Sequence, residues 1–150
     1  MPRKELLKGR YSKAQHVYHV TFCTDKKKQW FNNLYCGRIL VQQIKKVHEQ
    51  GSVTSLAWVI MPDHVHLLFQ LGDEISLSTV IKNVKAKSSL EINKQLQRKG
   101  RLWQRGFYDH ALRAEDGVRQ VARYIVANPL RAGIVENIGD YSLWDAIWLD

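Results

Sequence analysis

The chain has 150 residues, enough for one domain with a real apolar core, and its 45% hydrophobic, 25% charged composition excludes a disordered or low-complexity protein. Lys and Arg number 23 against 14 Asp and Glu, and the resulting charge of +9 favours a polyanionic partner whose counterions are released on contact. The basic start MPRKELLKGRYSK lacks the apolar stretch of a secretory signal, and no apolar run reaches the ~20 residues that span a bilayer. A soluble, cytoplasmic, nucleoid-associated protein with no membrane partner is the expectation.

No repeat and no Pro/Gly-rich linker divides the chain, so one domain over residues 1–150 is expected, with 1–16 a basic arm and 136–150 a C-terminal segment. Residues 17–24 (VYHVTFCT) are rich in β-branched and aromatic side chains and read as a strand. A charged turn, DKKKQ, follows. From Trp30 to about His48, Phe31, Leu34, Tyr35, Ile44 and Val47 recur at helical spacing, and Gly51 supplies the stop. Cys23 falls in the strand and Cys36 in the helix. Neither belongs to a CxxC or zinc-spaced cluster, so both read as free thiols of a reducing compartment.

Val53–Met61 and His64–Leu71 read as two strands joined at Pro62-Asp63, where proline suits a turn because it cannot donate to a ladder. A second helix is expected from Ser76 toward Gln97, with Leu77, Val80, Ile81 and Val84 on one face and Gly100 beyond its end. Residues 105–113 (RGFYDHALR) read as a fourth strand. A last helix is expected from Glu115 to Asn128, its acidic start suited to the helix dipole and Pro129 marking its break. Residues 141–149, with Trp144 and Trp148, read as a short piece packed on the body. The order β-α-β-β-α-β-α predicts an α+β, ferredoxin-like (RRM-like) antiparallel sheet with helices on one face.

Strand residues two apart share a face, so His64 and His66 point together while Val65 and Leu67 point into the core. Two adjacent imidazoles can hold one cation, although the same pattern fits two hydrogen-bonded histidines. Tyr124 and Asn128 stand one turn apart on the last helix and flank its apolar stripe of Val118, Val121 and Ile125. Tyr124 by itself reads first as a tyrosine at the core edge. An Asn carbonyl oxygen is a suitable ligand for Mg²⁺ or Mn²⁺.

In order along the chain, residues 18–22 (YHVTF), 61–69 (MPDHVHLLF), 103–113 (WQRGFYDHALR), 124–129 (YIVANP) and 130–135 (LRAGIV) resemble the single-tyrosine HUH transposases, above all the REP-associated and IS200-like branch. The resemblance spans residues 17–135. It implies an HUH endonuclease fold, with His64, His66 and Asn128 holding a divalent metal and Tyr124 as nucleophile. It also implies a hairpin-forming (REP-like) single-stranded DNA substrate, cut through a 5′-phosphotyrosine intermediate by a monomer or homodimer. Asp109 and His110 lie in a family stretch without an assignable role. Relatives often end in an aromatic-Trp-Ser-Ser segment, whereas this chain has Leu143-Trp144-Asp145-Ala146, which leaves its C-terminal packing open.

Lys82, Lys85, Arg101 and Arg105 belong to a basic stretch that reads either as a solvated face or as a phosphate track, with Trp103, Phe107 and Tyr108 able to stack on bases. Arg10 and the rest of the basic arm are further candidate DNA contacts. Two other classes fit the same residues. A phosphoesterase would activate water and form no covalent adduct; an RRM-like module would bind RNA on its sheet without catalysis.

Overall fold

The computed structural model describes residues 16–113 and 117–148. Strand β1 (Val17–Cys23) alternates as expected, burying Tyr18, Val20 and Phe22. Thr24 ends it, and its hydroxyl donates to the Lys28 carbonyl at 2.7 Å, closing a short 3-10 turn. The segment expected to begin a helix at Trp30 instead makes a second 3-10 turn, Trp30–Asn32. Helix α1 (Leu34–Glu49) starts only after Asn33, whose side chain accepts the Tyr35 amide at 2.9 Å. An Asn at this position satisfies an orphan amide best by standing outside the helix as its cap.

Strands β2 (Val53–Met61) and β3 (His64–Leu71) have the expected limits and pair antiparallel, with a register shift between Ser55 and Ala57. Helix α2 (Leu77–Leu96) is capped by Ser76, which accepts the Thr79 amide, and it ends at left-handed Gln97. The fourth strand, β4, is confined to Tyr108–Ala111. Helix α3 (Val118–Val126) follows Gly117, whose φ of +67° suits a residue without Cβ. Glu115 and Asp116, the expected first turn, lie outside the described residues, as does the basic arm with Arg10. Pro129 falls in the first turn of a one-turn helix, α4 (Asn128–Arg131), where its missing amide costs little.

The C-terminal segment contributes a fifth strand, β5 (Trp144–Ala146), paired with β2. The sheet order is β4-β1-β3-β2-β5, all antiparallel. Leu143 is buried against Gly37 of α1, where a Cβ would stand only 2.6 Å from its methyl carbon. The divergent C-terminal tetrapeptide is thus built into the body.

The α+β antiparallel architecture agrees with the sequence expectation; the placement of helices on one face does not. Helices α1 and α2 cover one side, burying Leu40, Ile44, Ile81 and Val84 against Tyr18, Val20, Ile60 and Val65. Helix α3 packs on the opposite side, where Ala122 and Ile125 meet Ala57, Val59, Met61 and Leu68. Burying Ile125 alone is worth about 1.5–3 kcal/mol, so the sheet is a middle layer. Helix α3 rests on β2 and β5, which leaves the same face of β1 and β3 beside it less covered.

Candidate active site

The face of β3 that carries α3 beside it also carries His64 and His66. Their rings are 5.1 Å apart between centroids and nearly perpendicular, at 80°. Strand register sets Cys23 and Met61 beside His64, and Thr21 and Val59 beside His66. His64 Nδ1 lies 2.7 Å from Asp63 Oδ1, so its Nδ1–H donates to the carboxylate and Nε2 keeps the free lone pair. His66 Nδ1 is 3.0 Å from both Thr21 Oγ1 and His19 Nε2, which likewise leaves Nε2 outermost. Fixing the far nitrogen of an imidazole is how proteins aim the near one at a metal.

Burial, then the neighbouring His64, His19 and Arg131, pushes the His66 imidazole down to about 3. It is therefore neutral at ordinary pH and able to donate its lone pair. Burial, helped by His110, also lowers His19. Among the described residues no three His, Cys, Asp or Glu side chains converge on one ion position. Asn128 is half-buried, and its Nδ2 donates to the Ile125 carbonyl at 2.8 Å, a bond that does not use Oδ1. Two imidazole nitrogens and an amide oxygen fit a Mn²⁺ or Mg²⁺ with open positions.

Tyr124 is 59% exposed, well clear of the core-edge packing that its place beside the apolar stripe also allowed. The Arg131 guanidinium lies over its ring, 3.8 Å from the centroid, and donates to the Tyr124 carbonyl at 2.6 Å. Arg131 also acts electrostatically on His66, the smallest of the influences that lower that imidazole.

Four residues around this site escaped the sequence reading: His19, Thr21, Asp63 and Arg131. Each lies inside a quoted motif; the roles of His19, Thr21 and Arg131 depend on strand register or on the return of the chain after α3, whereas Asp63 acts on its sequence neighbour His64. His110 stands opposite His19 on this face, while Asp109 points to the other side and raises the Tyr18 phenol, an effect led by burial.

The basic stretch divides in two. Lys82, Arg101 and Arg105 are exposed, and the first two line a cleft of about 420 Å³ with Phe107. Lys85 is half-buried and donates to the Gln104 and Gly106 carbonyls at 2.6 and 2.7 Å, so its ammonium anchors that loop. Trp103 is a core residue, donating its indole N–H to buried Ser88; Tyr108, by contrast, is 74% exposed.

An antiparallel sheet carrying two anchored histidines beside a helix with an exposed tyrosine defines a class in which a metal and a phenol can act on one substrate. The profile of the IS200-like transposases matches residues 12–128, and the chain belongs to that family. A Haemophilus influenzae protein assigned to the REP-associated tyrosine transposases is 31% identical over 107 residues, which cover 65% of this chain and 61% of that relative. The chain thus spans less than two thirds of that protein. A REP-associated tyrosine transposase of Escherichia coli is 27% identical over 133 residues, 87% of this chain and 76% of that protein. Among solved structures, a REP-associated tyrosine transposase bound to a REP hairpin superposes with a TM-score of 0.73 at 24% identity, covering 90% of this chain and 79% of that one. At that identity the likeness concerns the fold. No helix among the described residues is long and apolar enough to cross a membrane.

Proposed function

We propose that this chain cuts and rejoins hairpin-forming single-stranded DNA through a covalent bond to Tyr124, as a metal-dependent nuclease and strand transferase. The observation that carries this reading is the pair of Nδ1-anchored histidines on the sheet face that α3 packs against, together with the exposed, guanidinium-roofed tyrosine that α3 carries. Family membership supports it, and the REP hairpin held by a structural relative suggests the substrate class.

His64 Nε2, His66 Nε2 and Asn128 Oδ1 are the proposed metal ligands. A Mg²⁺ or Mn²⁺ bound there supplies Lewis-acid polarisation of the scissile phosphate. Asp63 holds His64 in the tautomer that exposes Nε2, and His19 and Thr21 fix the orientation of the His66 ring through its Nδ1. Tyr124 Oη attacks phosphorus, its proton passing to solvent. The P–O3′ bond breaks with its electron pair on O3′, which takes a proton from water and leaves as a 3′-hydroxyl. The downstream strand stays on the tyrosine as a 5′-phosphodiester, so a later 3′-hydroxyl can reverse the reaction without ATP. Exposed Lys82, Arg101 and Arg105, with Arg10 of the basic arm, are proposed phosphate contacts.

The test is incubation of the protein with labelled single-stranded hairpin oligonucleotides and Mn²⁺, resolved on a denaturing gel. A covalent protein–DNA band that chelation abolishes is expected. Cleavage without an adduct would establish the water-activating phosphoesterase instead. Binding without any cleavage would leave only an RRM-like module.

A further inference from the structure

Arg131 is not explained by packing. It is an exposed residue of α4, seven positions after Tyr124, and both of its recorded contacts go to Tyr124: the ring face at 3.8 Å and the carbonyl at 2.6 Å. Among the described residues no carboxylate pairs with it. A guanidinium has five N–H donors in a planar fork, and the Tyr124 carbonyl occupies one. The positive charge therefore sits beside the phenol, with donors to spare.

We propose that Arg131 is a catalytic residue that grips the non-bridging oxygens of the scissile phosphate and presents phosphorus to Tyr124. This rests on the tyrosine chemistry proposed above. Guanidinium matches phosphate bidentately, whereas a Lys ammonium would offer a point charge without a fixed plane. Stacking on the ring ties the orientation of the fork to that of the nucleophile, so both reach phosphorus together. During attack the Tyr124 Oη–P bond forms while P–O3′ breaks, and negative charge builds on the oxygens Arg131 holds. The interaction strengthens as the transition state is reached, which is the condition for raising rate rather than affinity.

The experiment measures single-turnover adduct formation and hairpin affinity for wild type, Arg131→Ala, Arg131→Lys and Tyr124→Phe, on a native hairpin and on one with a methylphosphonate at the scissile linkage. Arg131→Ala should slow adduct formation by about 10²–10³-fold, as loss of a transition-state donor does, with hairpin affinity nearly unchanged. Added guanidinium ion should restore part of the rate, and Arg131→Lys should fall between wild type and Ala. On the methylphosphonate, whose phosphorus bears no charge, the Ala variant should lose far less. A defect equal on both substrates and indifferent to guanidinium would make Arg131 a packing residue and overturn the proposal, as would near wild-type rates in Arg131→Ala. An adduct in Tyr124→Phe, or none in wild type, would overturn the tyrosine reading itself and this inference with it.

Discussion

Replacing Tyr124 by Phe removes one oxygen and little else. The side chain is 59% exposed, and no recorded hydrogen bond uses its hydroxyl; the bond from Arg131 goes to its main-chain carbonyl. Phe keeps the ring beneath the guanidinium, and with it most of an interaction worth about 0.5–1 kcal/mol. The stability change should therefore stay within about 0.5 kcal/mol, the range of ordinary surface substitutions. For a chain of this size that is a melting shift of about 1–2 °C. Mn²⁺ binding should persist, because His64, His66 and Asn128 are untouched. Cleavage and adduct should vanish together, since no other group replaces the attacking oxygen. The assay pairs thermal unfolding with a denaturing gel on end-labelled hairpin DNA. A folded Tyr124→Phe protein that still releases a 3′-hydroxyl product near the wild-type rate would refute the reasoning and leave Tyr124 a surface aromatic.

Asp63→Ala should weaken Mn²⁺ binding by about 10–100-fold, the usual effect of removing a carboxylate that orients a ligating histidine; unchanged Mn²⁺ affinity by electron paramagnetic resonance would exclude that role. His66 titrates at about 3 when folded and at 6.5 when free, so the unfolded state binds more protons between these values. The metal-free protein should accordingly lose stability as pH falls from 6.5 toward 3, and His66→Gln should flatten that decline in a melting series; an unchanged slope would show that the ring protonates in place. Lys85→Ala should cost about 1–2 kcal/mol in denaturant unfolding, through its two charged hydrogen bonds. Lys82→Ala should leave stability alone but reduce the slope of log affinity against log salt by about 0.7, and an unchanged slope would place the DNA elsewhere.

Strands β2 and β3 could be bounded from sequence because period-two alternation and Pro62 are local signals. Apolar spacing alone starts α1 at Trp30 because Phe31 fits the period, whereas the cap that sets its true start, Asn33, is one polar atom in a long pattern. The side chosen by α3 left a trace that was missed. The run Ala57–Met61 is buried throughout, and an uninterrupted apolar strand signals a sheet covered on both faces. Strand β5 left almost none: three residues carry no period, and their pairing with β2 lies far away in sequence.

The site residues follow the same division between local and distant signals. His64 and His66 could be singled out because a spacing of two puts them on one face of β3, and Tyr124 and Asn128 because a spacing of four matches one helical turn, although Asn128 in fact opens α4, beyond the end of α3 at Val126. His19 joins His66 only through the β1–β3 register, and Arg131 reaches Tyr124 only because the chain turns back after α3. The asymmetry of the second face explains why these residues meet there. On β2 and β5 that face is apolar, with Ala57, Val59, Met61 and Trp144, and it holds α3 in place. On β1 and β3 it carries, besides the buried Leu68 at the edge of the helix, Thr21, His19, His64 and His66, a strip too polar to hold a helix by burial. The helix is therefore fixed by one half of the face and stands beside the other. A metal and a phosphodiester need that combination: a rigid support next to a polar, accessible surface.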